Sequence, residues 1–128
     1  MTETATTKTA AKRPARKTDL LTQILAEVKA TRLKIDRSDL PFRGGEVPEH
    51  GRAYFELRGT DWGFIHADRE RTSRDGFDSH LVSRMFKALA IDFEDEEAED
   101  SRAYAQHLLI EIAAYAVAAI EYLERGGQ

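Results

Sequence analysis

Between Ser101 and Arg125 the chain reads SRAYAQHLLIEIAAYAVAAIEYLER, a run without glycine or proline in which apolar residues return every three or four positions. Leu108, Ile112, Tyr115, Ala119 and Tyr122 form one stripe, and Leu109, Ala113, Ala116, Ile120 and Leu123 form a second beside it. That spacing puts both stripes on one wide face of an α-helix. Alanine loses no side-chain entropy on entering a helix, so the composition supports what the spacing predicts. Ser101 suits the N-cap, and Gly126 with Gly127 suits the stop. A membrane span competes with this reading, and Glu111 and Glu121 argue against it because charge is costly in hydrocarbon. Small residues at 113, 114, 116, 118 and 119 let another helix approach closely, so Ala113, Ala116, Ala119 and Ile120 are the expected contact face of a homo-oligomer.

The rest of the chain predicts helices too. Leu20, Leu21, Ile24, Leu25, Val28, Leu33 and Ile35 share a broad face of a first helix starting near Thr18 or Asp19. Leu81, Val82, Met85, Phe86, Leu89 and Ala90 fit a short core helix capped by Asp78 or Ser79. Pro41 to Gly51 holds two of the three prolines and three of the eight glycines, which makes it a loop. Residues 53–66 carry two readings. Tyr54 to Leu57 and Trp62 to Ile65 are aromatic and β-leaning, so Gly59-Thr60-Asp61 could turn a short hairpin. Alternatively a helix starts at Thr60 or Asp61 and stops at Gly76, with Gly63 costing it about 1 kcal/mol. The expected class is all-α: a small bundle of about four helices, with that hairpin as its one departure.

With 128 residues, 41% of them hydrophobic, the chain is long enough for one modest core. One helical domain over 18–128 is expected, preceded by a disordered tail, 1–17, which has too little apolar surface to order itself. Lys8, Lys12, Arg13, Arg16 and Lys17 against Glu3 give the tail +4, so the remainder of this −4 chain carries −8. A basic arm can bind nucleic acid through its phosphates, but the arm lacks interleaved aromatics and the body is acidic. It also lacks the apolar stretch of a secretion signal. The absence of cysteine excludes disulfides and thiolate metal sites and fits a cytoplasmic protein.

Chemistry-bearing residues are sparse. Seven of the nine residues from Asp92 to Asp100 are acidic, which suits a solvated link or an acidic first helical turn; Mg²⁺ is the sharper option. His66 and Asp68 are two apart and face different ways on a helix, while His50, His80 and His107 stand alone, so zinc is not indicated. His107 and Glu111 lie one helical turn apart and form an ordinary pair. Trp62 suits a core or partner anchor.

The string GFDSHLVSRMFKALA, an acidic stretch, and then HLLIEIAAYAVAAIEYLER resemble the second half of small phage and actinobacterial MazG-like nucleoside triphosphate pyrophosphohydrolases. ILAEVKATRLKID resembles that family's first helix, so the likeness runs over roughly residues 22 to 125 in order and spacing. The resemblance implies an all-α fold and an Mg²⁺-dependent hydrolase whose EExxE acids hold the metal. Those acids fall on Ser83, Arg84 and Lys87, and a further one falls on Leu108. The chain therefore departs from the family at every metal-holding position, and Glu111, Asp92 and Glu94 are the remaining candidate metal ligands, with Glu27 in a shifted site. Two functions follow. One is a non-catalytic interaction or regulatory protein of phage or mobile-element type, without a cofactor, that assembles through its alanine-rich helix and meets an anionic partner with Arg84 and Lys87. The other is a divergent Mg²⁺-dependent nucleotide pyrophosphohydrolase.

Overall fold

The computed structural model describes residues 15–44, 51–94 and 98–126, with side chains from Asp19 onward. The fold is all-α. Among the described residues there are four helices and no strand: α1 (Ala15–Lys34), α2 (Arg52–Arg71), α3 (Phe77–Leu89) and α4 (Ala98–Glu124). The chain divides into two compact units, one holding α1 and the end of α4 from Ile120, the other running from Arg37 to Ala119.

The expected hairpin at 53–66 is absent, because α2 begins at Arg52 and runs unbroken through Gly59-Thr60-Asp61. The alternative helix start at Thr60 is equally displaced. Gly59 serves close packing rather than a turn: it is buried, and a Cβ there would sit 3.5 Å from the Cβ of Phe86 on α3. Phe55 meets the same phenylalanine, with ring centroids 6.2 Å apart. Near the other end, Arg69 Nη1 donates to Asp78 Oδ2 at 2.9 Å. These contacts pair the C-terminal end of α2 with the N-terminal end of α3, an antiparallel helical hairpin.

The turn between them closes in a defined way. Arg74 N–H donates to Arg69 O and Ser73 N–H donates to Glu70 O, the double bond of a Schellman motif. Ser73 takes the left-handed position, φ +57, that glycine usually occupies. Helix α3 then begins at Phe77, earlier than the expected caps, with Gly76 in extended conformation as its N-cap; the Asp78 carboxylate accepts from Ser79 N–H within the first turn. At the far end of α3, Arg43 Nη1 donates to the carbonyls of Leu89 and Ile91 at 3.1 and 2.6 Å. Phe42 supports this grip edge-on against Phe93. The Pro41–Gly51 loop is thus fastened at its described end; residues 45–50 lie outside the described residues.

Helix α4 starts at Ala98, so Ser101 sits inside it and the acidic Glu99 and Asp100 occupy its first turn. Negative charge is favourable there, against the helix dipole. It ends at Glu124, and Gly126 at φ +103 closes it as the sequence predicts. By length and composition alone α4 is long and apolar enough to cross a membrane, despite Glu111 and Glu121, and 11% of its most apolar stretch is buried within the protein. Ala105 and Leu108 are its buried residues. Helix α1 begins at Ala15, which brings the last residues of the expected 1–17 tail into a helix; residues 1–14 lie outside the described residues. On α1 only Ile24 is buried among the described side chains, and Leu25, Val28, Leu33 and Ile35 of the expected broad face are exposed.

Candidate functional site

A polar seam lies within the Arg37–Ala119 unit, on facing sides of α2, α3 and α4. Helical spacing builds it. On α2, His66 and Glu70 are one turn apart, with His66 Nε2 3.5 Å from Glu70 Oε2. On α3, Ser79, His80, Ser83 and Arg84 occupy successive turns. On α4, His107, Glu111 and Tyr115 are each four residues apart and therefore line one face.

Arg84 is the hub. Its Nε donates to Glu111 Oε1 at 3.0 Å, and its Nη1 donates to the His80 carbonyl at 3.0 Å and to His80 Nδ1 at 3.2 Å. The guanidinium carbon also lies 4.6 Å from the centroid of the Tyr115 ring. A guanidinium can only donate, so His80 Nδ1 accepts and the ring carries its proton on Nε2. That Nε2–H donates to Asp75 Oδ2 at 2.7 Å. Two rings pack against His80 as well: it stacks on Tyr115 with centroids 4.4 Å apart and makes a T-shaped contact with His66 at 4.3 Å. His66 in turn shares a 2.8 Å hydrogen bond between its Nδ1 and Oγ of Ser79, a fully buried hydroxyl.

These contacts set the electrostatics. The Arg84 hydrogen bond holds the Glu111 carboxyl below the usual range, with the nearby His107 ring 3.3 Å away acting in the same direction. The His80 hydrogen bond does the same for Asp75, and the Arg69 hydrogen bond does so for Asp78. Burial lowers His66 below the ordinary histidine value, with Glu70 opposing and His80 reinforcing the shift.

A pocket of about 320 Å³ opens on this seam, and Ser83, Arg84, Lys87, Leu108 and Glu111 all line it, together with His66, Glu70 and His107. The four positions at which the resemblance would place metal-holding acids thus come together in space with serine, arginine, lysine and leucine. Mg²⁺ prefers several hard oxygen donors. The pocket offers two carboxylates, Glu70 and Glu111, and Glu111 is already bound by Arg84 and His107. These donors do not fit Mg²⁺.

Of the other residues singled out in the sequence, Lys87 is exposed and makes no ion pair with any described residue, whereas Arg84 is committed to Glu111 and His80. Trp62 is half-buried on α2, outside the pocket, with the Arg69 guanidinium 5.9 Å from its ring centroid. Asp92 closes its own turn by accepting from Glu94 N–H at 3.0 Å, and neither residue lines the pocket with Glu111. Residues 95–97 of the acidic run lie outside the described residues. Ala113 is exposed, Ala116 and Ala119 are half-buried, and Ile120 is 38% exposed.

His80, isolated in sequence, is the residue that sequence spacing missed. The signal was partial: His66 and Glu70 stand four apart and so share a face, but the pairing with His80 is made by the tight turn at Thr72–Arg74. No protein-family model, curated protein or solved structure matches the chain.

Proposed function

We propose that this is a non-catalytic helical binding protein whose α2–α3–α4 pocket receives an anionic group, with Lys87 and His107 as the exposed donors and Arg84 as the charge held behind them. One observation carries this: the positions that a MazG-like hydrolase would fill with metal-binding acids line a single pocket with Ser83, Arg84, Lys87 and Leu108. An ancestral pyrophosphohydrolase pocket that exchanged its acids for a lysine and an arginine keeps the means to meet phosphate oxygens and loses the means to hold Mg²⁺. Assembly as a homo-oligomer through α4 belongs to the same reading, supported by the exposure of Ile110, Ile120 and Leu123 along that helix.

The test is a titration of the full-length protein with inorganic pyrophosphate and with a nucleoside triphosphate, each with and without Mg²⁺. Binding independent of Mg²⁺ is expected, and K87A should weaken it about tenfold, the loss of one charge-assisted contact. Mg²⁺-dependent release of pyrophosphate from the triphosphate would overturn the reading in favour of a divergent hydrolase.

A further inference from the structure

We infer that His66, Glu70 and His80 form a binding site for a divalent transition metal of the zinc class. Among the described residues these three can converge on one cation: one ligand atom from each lies within 4.8 Å of the others. His66 Nε2 and Glu70 Oε2 are 3.5 Å apart. Two donors on a tetrahedral zinc, each about 2.1 Å from the ion, stand about 3.4 Å apart, so this pair is already at coordinating separation. The His80 ligand atom lies within 4.8 Å of the other two, so it closes by up to about 1.4 Å, giving up one of its present hydrogen bonds, to complete three ligands, which leaves a fourth position for water or an anion.

The surroundings of His66 supply what a metal-binding histidine needs. Such residues hold a proton on one ring nitrogen against a fixed acceptor and offer the other nitrogen to the metal. His66 has the buried Ser79 hydroxyl on Nδ1, which leaves Nε2 facing Glu70. His80 has Asp75 on Nε2 and Arg84 on Nδ1, so whichever nitrogen takes the metal, one of those partners gives way. Two imidazoles and a carboxylate are borderline donors. They favour Zn²⁺, Co²⁺ or Ni²⁺ and discriminate against Mg²⁺, which distinguishes this site from an acid-built one. Glu70 offsets part of the ion's charge, and the neighbouring Arg84 is already paired with Glu111.

The experiment uses full-length protein stripped with a chelator and titrated calorimetrically with Zn²⁺, Co²⁺ and Mg²⁺. One Zn²⁺ per chain is expected, with Co²⁺ giving a visible d–d band and Mg²⁺ giving no saturable binding. H66Q and H80Q should each weaken Zn²⁺ binding at least about tenfold. Both rings are largely buried, so E70Q provides the variant that keeps the fold: the Glu70 side chain is 53% exposed and its loss should weaken binding similarly. D61N, an exposed α2 position outside the pocket, should change affinity by less than about twofold. Absence of saturable Zn²⁺ binding, equal binding of Mg²⁺, or a loss in D61N as large as in E70Q would each overturn the assignment. None of these results bears on pyrophosphate binding measured in chelator, so the two proposals fail separately.

Discussion

The two compact units stabilise themselves in opposite ways. The unit from Arg37 to Ala119 is organised by a polar network in which Arg84, His80, His66, Asp75, Ser79 and Glu111 hold one another at hydrogen-bonding distance, with Ala88, Ala105 and Leu108 buried. Among the described side chains of the unit of α1 and the end of α4, Ile24 is the buried one, while Leu33 and Leu123 are 73% and 69% exposed. A directional network specifies one arrangement, because each group left without its partner is costly. An apolar face without cover specifies none, and it draws its stability from whatever covers it. On the proposed reading, the first unit carries recognition and the second carries assembly.

The largest effect that would break this comparison is truncation of a core side chain. L108A should destabilise the protein by about 2–5 kcal/mol in urea denaturation, whereas L33A should stay within about 0.5 kcal/mol. A loss at Leu33 comparable with that at Leu108, together with a change in sedimentation, would show that the α1 face is buried in an assembly. Backbone substitutions sharpen the picture in the other direction. S73G removes a left-handed strain of about 1 kcal/mol and should raise stability by a similar amount. G63A should add about 0.8 kcal/mol through helix propensity, since a Cβ there meets nothing within 4 Å.

The smallest effect is expected in pH, where the His66 shift is partly opposed by Glu70 and Asp75. In the unfolded chain His66 takes up a proton near pH 6.5, whereas in the folded chain its pKa is lower. Stability is therefore unaffected by this group above about pH 7, and falls as pH drops through about 6.5, because the unfolded state binds a proton that the folded state refuses. H66N should flatten that part of a melting-temperature profile. Asp75, Asp78 and Glu111 have lowered pKa values, so their contribution persists until pH falls below about 4, a separate window.

Much of the fold is written in spacing. The stripes of α4 and α3 follow directly from periodicity, and Gly126 ends α4 where a glycine should. Two features escape that logic for physical reasons. Gly59 and the aromatics around it look like a hairpin because glycine serves both turns and close helix approach, and only the position of Phe86 distinguishes them. The turn into α3 is hidden because Ser73, not glycine, takes the left-handed conformation. The site inherits that second difficulty. His107 and Glu111 pair at their own helical spacing, and Arg84 and Lys87 stand one turn apart, so these are legible. The His66–His80 contact exists only once the turn has closed.

Arg43 carries a consequence for the order in which the molecule assembles. Next to its turn the α2–α3 hairpin joins residues nine and thirteen apart, Arg69 with Asp78 and His66 with Ser79, so the first closure is short. Arg43 reaches carbonyls 46 and 48 residues away. Long loops close at greater entropic cost, so the hairpin is placed to form early and the arginine clasp late. A contact made after the rate-limiting barrier governs how long the native state lasts rather than how fast it is reached. On that basis R43A should speed unfolding more than it slows folding, shortening the lifetime of the hairpin that presents His66 and His80 although Arg43 bonds to neither.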